Sequence, residues 1–378
     1  MLATSSSGSN THPSRRWVRL DRQLYAFLST MLFFLCMACG DNPELAAYRI
    51  AVSIRQESTA DIYIADGNGR LIDRVTNTPL TTEMWPTWSS SGKVMFFEAT
   101  NNDSVMTFLM RKDIDSTVED TIYGRPGRGG LWFTVSPDGE KVAYVVRHGY
   151  QTQLIIADTL GTKLLVVGEE RVRLIRPEWN RDSRRILCQV KKRSAVQWDV
   201  ALVDTETGTL ERFMSTPDSS ESRPAWSPNG KFIVYSSAPT EPSVSNDLVI
   251  SNADGSAKKP LRVESRILLG SGTWSCNFSV AALRERPLPL TVLIWPEPWR
   301  SVELRRTELD GKWRHGRVVW SPDGKFLAVN VTHRRLGKAG GWSILILDAA
   351  GRIVKKWPQA LDASCPAWAP LSRSDASS

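Results

Sequence analysis

Histidine and cysteine are scarce, at four and five residues in a chain of 378. The histidines His12, His148, His315 and His333 form no HExxH pair, and the cysteines form no Cys-x-x-Cys pair. No P-loop and no Gly-x-Ser-x-Gly elbow occurs. These absences leave no residue to nominate as catalytic or metal-ligating, and no cofactor is expected. An excess of one charge is also missing: 48 Lys and Arg face 40 Asp and Glu, a net of +8. The first 38 residues hold four arginines and one aspartate, so the remainder carries only +5. Phosphate recognition needs a concentrated basic patch, so no nucleic-acid partner is expected. An apolar fraction of 41% excludes a disordered chain. After residue 40 there is no convincing run of amphipathic helix.

What is present begins with an address. Residues 1–23 are polar and carry Arg15, Arg16, Arg19 and Arg22, and Leu24 to Ala38 is an apolar run of 15. That is shorter than the ~20 residues of a membrane-spanning helix and matches a signal-peptide core. The run ends in Ala38-Cys39-Gly40-Asp41. It resembles a bacterial lipoprotein signal, in which the cysteine is lipidated and becomes the mature N-terminus. The usual leucine three residues before it is replaced by Cys36, with Leu35 one further back. The resemblance implies a lipid anchor at Cys39 on the periplasmic side of the envelope.

The remainder repeats. Trp85-Pro-Thr-Trp-Ser-Ser-Ser-Gly-Lys93, Thr134-Val-Ser-Pro-Asp-Gly139, Arg176-Pro-Glu-Trp-Asn-Arg-Asp-Ser183, Arg223-Pro-Ala-Trp-Ser-Pro-Asn-Gly-Lys231, Val319-Trp-Ser-Pro-Asp-Gly-Lys325 and Cys365-Pro-Ala-Trp-Ala-Pro370 recur, with a degenerate copy at Gly272–Phe278. The anchors Trp88, Val135, Trp179, Trp226, Trp274, Trp320 and Trp368 are spaced 47, 44, 47, 48, 46 and 48 residues apart. A second motif, of the type Asp247-Leu-Val-Ile-Ser-Asn-Ala-Asp-Gly255, keeps the same phase. Ser-Pro-Asp-Gly closes a tight turn because proline presets φ and glycine accepts a positive one. Each unit contains four β-type runs, and four strands per period of ~40–50 residues predict an all-β fold, a β-propeller. Seven blades are expected, or six if the degenerate unit around Trp274 or the divergent one around 290–310 is not a blade. The first unit lacks a Trp strand and the last Trp strand stands alone, so the ends are expected to pair and close the ring. The organisation follows: a signal peptide at 1–38, a short tether at 39–47, the propeller at 48–370 and a tail at 371–378.

These residues resemble the TolB-like propeller repeat, Pro-x-Trp-Ser-Pro-Asp-Gly-Lys, over about residues 48–370. The same repeat occurs in propellers attached to prolyl-oligopeptidase-type peptidases, whose separate catalytic domain finds no counterpart in this sequence. The stretch between Cys39 and Tyr48 is likewise too short for the N-terminal α/β domain of TolB. Some seven-bladed relatives among pectin-degrading lyases hold a metal through clustered histidines, a pattern that three scattered histidines do not reproduce. Departures from the repeat lie at Val135, at Asn180–Ser183 and at Ser275–Asn277.

Two groups of residues are candidates for binding. The position three before each anchor holds Trp85, Trp132, Arg176, Arg223 and Arg317, with Ser271 and Cys365 completing the register. These are expected at one height near a channel mouth, where they could hold an anionic or aromatic group. The loops after the second and fourth strands are longer, several are basic, and they carry Trp198, Arg334, Arg335 and Trp342. The expected function is a monomeric, non-catalytic, lipid-anchored propeller that binds a protein or peptide of the cell envelope through one loop-rich face. The alternatives are a carbohydrate- or small-molecule-binding propeller and a hydrolase or lyase with its site in the channel. Cys188, Cys276 and Cys365 are expected as unpaired thiols, since the repeat sets them apart. Mass spectrometry of the mature protein should find an N-terminal, lipid-modified Cys39; an unmodified start at any other residue would refute the anchor.

Overall fold

The computed structural model describes residues 41–127, 130–240, 247–261, 268–269, 273–277, 279–286, 290–296, 298, 304–309, 313–333 and 341–371. Asn42 onward forms one compact unit. Cys39, Arg334 and Arg335 lie outside the described residues. Among the described residues the chain is β-strand with two short 3-10 turns, Glu44–Ala47 and Gln359–Leu361.

The strands assemble in antiparallel groups, each led by the strand that carries an anchor. Val172–Trp179, Arg185–Lys192, Asp199–Asp204 and Leu210–Met214 form one four-stranded sheet in chain order. Ser219–Trp226, Phe232–Pro239, Asp247–Asn252 and Lys259–Leu261 form the next. The pattern is the same for the groups led by Phe133–Val135 and Trp313–Trp320. In the group around Trp274, Leu268–Leu269 and Thr273–Trp274 both pair with Val280–Arg286, which continues to Thr291–Trp295 and Arg305–Glu308. An eight-stranded sheet holds the rest. Its two halves meet through a single parallel pair, Ala60 with Thr82. One half is Thr81–Trp88 with the three strands after it. The other half joins the two ends of the chain: Ala363–Trp368 pairs with Arg49–Gln56, Ile50 opposite Trp368.

The sequence motifs have local causes. In the turns after the anchors, Gly139, Gly230 and Gly324 take φ of 79°, 67° and 71°. Their amides donate to the carbonyls of Ser136, Ser227 and Ser321 at 2.8–2.9 Å. The same serine hydroxyls accept the amides of Lys141, Phe232 and Phe326 at 2.9 Å, which start the second strand. They donate to Asp138, Asn229 and Asp323. Serine and the Asx residue each supply a side-chain bond to the turn, and glycine supplies its positive φ. Asn180 substitutes for serine by accepting the amide of Arg185 at 2.9 Å, and Ser183 there carries a φ of 59° in place of glycine.

The core lies between groups. Each of the seven hydrophobic clusters is shared by two successive groups, and the cluster of Ile50, Val52, Phe326 and Ala328 joins the last group to the first. The second strands are buried on both faces, as in Ile50–Ile54 and Met95–Thr100. The anchor tryptophans sit in these seams. Five indole N–H groups donate to a backbone carbonyl of the preceding group: Trp88 to Ala367, Trp179 to Thr134, Trp274 to Ala225, Trp320 to Thr273 and Trp368 to Val319, at 3.1–3.3 Å. Each acceptor is the residue just before the preceding anchor. Trp226 departs from this: its indole N–H is buried without a hydrogen-bond partner, and Arg185 lies 5.7 Å from its ring.

Residues that precede the first strand also belong to this body. Asn42 and Asn68 exchange hydrogen bonds at 3.0 Å, and Leu45 is fully buried. Tyr48 donates to Asp323 at 2.5 Å and packs edge-on against Phe326 and Trp368. Trp357, 2% exposed, donates to the carbonyl of Gly67 at 3.0 Å, and a Cβ on Gly67 would meet the Leu45 carbonyl at 2.6 Å. Cys188, buried, and Cys276, exposed, are free thiols.

Trp179→Phe and Trp226→Phe provide a matched test of the seam. Both remove similar ring area, but only the first removes a made hydrogen bond, while the second removes a buried, unmade donor. Trp179→Phe should therefore be the more destabilising by ~1 kcal/mol in urea unfolding. Equal losses would mean that the indole N–H contributes nothing.

Candidate functional site

Four positions of the register three before the anchor share one backbone device. Trp85, Arg176, Arg223 and Cys365 have φ of 61°, 55°, 53° and 53°, in the left-handed region. At each, the anchor strand slips register by one residue, for example between Met84 opposite Glu98 and Thr87 opposite Phe96. Two residues thus oppose one, a β-bulge. The second bulge residue is always proline: Pro86, Pro177, Pro224 and Pro366. Proline disfavours the right-handed helical conformation in the residue before it and has no N–H to give the ladder, so a bulge is where a strand accepts it. The opposed residues, Phe97, Cys188, Tyr235 and Val52, are buried.

The bulge sits midway along eight-residue strands such as Thr81–Trp88 and Val172–Trp179, not where the chain enters them. Trp85 is 39% exposed, Arg176 is exposed, Arg223 is half-buried and Cys365 is buried. Trp132 has no bulge, because Phe133 follows it instead of proline, and its ring packs on the core around Ala143 and Leu174. At Arg317, followed by Val318, the register slip lies earlier, between Arg314 and Gly316, and Arg317 stands opposite Asn330. The Arg317 side chain lies outside the described residues.

Buried acids lie close to these strands. Glu83, 1% exposed, accepts the Thr76 hydroxyl at 2.5 Å and also the Thr78 hydroxyl. Burial pushes its carboxyl up to about 7, against the opposing effect of the two threonines. Glu98 accepts the Leu131 amide at 2.7 Å, and burial raises it as well. Glu221 is fully buried and raised for the same reason, with one carboxyl oxygen unpartnered. These three hold anchor strands and neighbouring loops in place. The turn acids Asp158 and Asp204 accept backbone amides at 2.8–3.0 Å, which lowers both carboxyls. Among the described residues no three His, Cys, Asp or Glu side chains gather as a metal-holding group.

A third constellation joins residues from neighbouring groups. The Arg173 guanidinium lies 5.8 Å from the Tyr150 ring and 5.5 Å from the Trp198 ring. Lys191 lies 5.8 Å from Trp198, and Arg193 lies 5.6 Å from Tyr150. Arg173 Nε is buried without a hydrogen-bond partner. Lys191 Nζ donates to the Val196 carbonyl at 2.8 Å, which fixes the loop, and Val196 itself is 78% exposed. The Trp198 backbone is held on both sides, by Ser220 Oγ and by the Glu221 amide. Trp198 was legible as a candidate because it ends a basic loop. Tyr150, Arg173 and Arg193 were not singled out, although Arg171-Val-Arg173 and Lys191-Lys-Arg193 flank one antiparallel pair and would have signalled them. Trp342, half-buried, belongs to another group, where its amide donates to Asp362 at 2.6 Å.

No protein-family model matches the chain, and no curated protein matches it in sequence. Solved structures do match it. TolB from Acinetobacter baumannii is 16% identical, with 96% of this chain and 74% of that chain covered and a TM-score of 0.50. An oligogalacturonate lyase from Vibrio parahaemolyticus is 11% identical, with 84% of each chain covered and a TM-score of 0.58. Prolyl oligopeptidase B from Galerina marginata is 8% identical, with 88% of this chain and 52% of that chain covered and a TM-score of 0.57. At such identities the likeness is one of fold. The chain has a TolB-like, all-β propeller fold.

Glu83 makes stability depend on pH. Its folded value of about 7 stands above the ordinary 4.5, so its contribution is fully present below 4.5 and is lost as pH rises through about 7. Glu83→Gln should remove that part of the decline, which chemical unfolding at a series of pH values would register. An unchanged pH profile would show that Glu83 is ionised in the fold at neutral pH.

Proposed function

We propose that this chain is an exported, lipid-anchored propeller that presents its loop-rich face to a protein or peptide of the cell envelope and performs no catalysis itself. Seven blades form a ring closed by the pairing of Ala363–Trp368 with Arg49–Gln56. The seven shared clusters and the Trp88 bond to Ala367 support closure, because both continue across the chain ends without a break. The group around Trp274 counts as a blade because its indole bonds to Ala225 as the other anchors do to their neighbours.

The observation that carries the reading is an opposition of ends. Asn42, Glu44 and Tyr48 are tied to Asn68, Lys325 and Asp323, which all belong to turns at one end of the strands. Asn42 is three residues from Cys39, so a lipid there holds that end within ~10 Å of the bilayer. The exposed Val196 and the cluster around Trp198 lie in loops at the other end. A rigid scaffold anchored by one end and carrying its exposed apolar and cationic groups at the other is suited to recognising partners in the periplasmic space.

A photo-crosslinking residue at position 196 should capture a defined protein in intact cells, whereas one at Leu160, 70% exposed at the turn end, should not. Failure at 196, or equal capture at 160, would overturn the assignment of the face.

A further inference from the structure

Like charges face each other across one strand pair of this fold. Arg173 stands directly opposite Lys191. The Arg193 amide donates to the Arg171 carbonyl at 2.8 Å, so the register continues and Arg171 stands opposite Arg193. The side chains of Arg173, Lys191 and Arg193 converge on the rings of Trp198 and Tyr150. Like charges opposed across a ladder are destabilising. The equivalent positions in the group led by Thr81–Trp88 are Leu80, Thr82, Thr100 and Asn102, where the Asn102 amide donates to the Leu80 carbonyl in the same way. In the group led by Ser219–Trp226 they are Asp218, Ser220, Ala238 and Thr240, again with the Thr240 amide on the Asp218 carbonyl. The basic quartet departs from both of these groups, and such a local conflict is expected where a sequence serves binding over stability.

We propose that this quartet, with Tyr150, Trp198 and Val196, is the docking site for an acidic segment of a partner protein, one that brings neighbouring carboxylates between the opposed cations. The inference rests on the proposed loop-face function and names its partner chemistry. Three observations favour a peptide. The Tyr150 ring has Arg173 and Arg193 over it, and the Trp198 ring has Arg173 and Lys191, so a sugar stacking there would compete with two cations at each ring. The site lies at the end of the strands opposite the docked Asn42–Tyr48 segment, away from an anchored bilayer. Val196, 78% exposed beside the cations, offers an apolar contact that an acidic chain with an interspersed aliphatic residue completes. The rings hold Arg173 in one orientation, which reduces the ordering cost when a carboxylate arrives.

The test uses detergent-solubilised full-length protein and a fluorescein-labelled Glu-rich peptide with interspersed valines, with its Gln-for-Glu counterpart as control. The Glu peptide should bind saturably and weaken with salt, and the Gln peptide should not bind. Arg173→Gln combined with Arg193→Gln should weaken binding about tenfold or more. Arg193→Glu alone, at an exposed position, should abolish binding while leaving the thermal midpoint unchanged or higher, because it replaces a repulsion with an attraction to Arg171. A merely structural role for Arg193 would lower that midpoint. Absence of Glu-peptide binding, equal binding of the Gln peptide, indifference to Arg193→Glu, or tighter binding of phosphatidylglycerol vesicles or an oligogalacturonate would overturn the proposal. If a protein still crosslinks at position 196 in that case, the loop-face reading stands and only the acidic chemistry falls.

Discussion

A hydrogen bond from an indole to the neighbouring group's backbone is the contact on which the seams of this fold depend. The anchor tryptophan fills the apolar space between two groups and simultaneously donates to a backbone carbonyl of the neighbouring group. Neither phenylalanine nor tyrosine can do both from that position, since one lacks the donor and the other carries it elsewhere on the ring. The bond also sets geometry. Because the acceptor always lies one residue before the preceding anchor, adjacent groups are held at one height, and the same offset recurs along the chain. Where the anchor is Val135, the third group loses its donor and its leading strand shrinks to Phe133–Val135. Where Trp226 finds no acceptor, Arg185 covers its ring instead.

The bulges follow from the same spacing. The turn after the anchor fixes where the second strand starts, and the anchor fixes the height of the first. A left-handed residue followed by proline takes up the register difference between them, at a strain of order ~1–3 kcal/mol per residue. Burial of the opposed residue, as with Phe97 and Tyr235, offsets that strain. Strained backbone often marks a functional site, but a device that recurs in four groups answers to the repeat. Trp85, Arg176, Arg223 and Cys365 share a left-handed φ at the first position of a bulge whose second position is proline.

Much of the fold was legible because the repeat writes its constraints in residues with narrow conformational preferences. Trp, the Ser-Pro-Asp-Gly turn and the Asp–Gly hairpins each report a specific hydrogen bond or a positive φ, and all are visible in the sequence. The bulges were visible too, in the prolines, but a proline two residues before an anchor states only where a strand bends and not what its neighbour touches. The cluster on Trp198 was harder to see. Arg173 and Arg193 are ordinary residues by composition, separated by twenty positions, and only the pairing of Val172–Trp179 with Arg185–Lys192 makes them neighbours. Cross-strand pairing is non-local information, and periodicity supplies the period but not the partner of a given side chain.

Repetition therefore separates the two kinds of site. Residues that recur at one register serve the scaffold, as the anchors, turn serines and bulge prolines do. Residues that break the register at a cost to the scaffold answer to something outside it. Opposed cations at Arg173 and Lys191 weaken the ladder they sit in, and the corresponding positions in two other groups avoid charge at three of four places or altogether. The buried Arg173 Nε adds a second cost, since a desolvated donor left unmade is unfavourable by ~1–3 kcal/mol. Two independent penalties at one end of one group, beside an exposed valine and two rings, set this cluster apart from the scaffold it sits on.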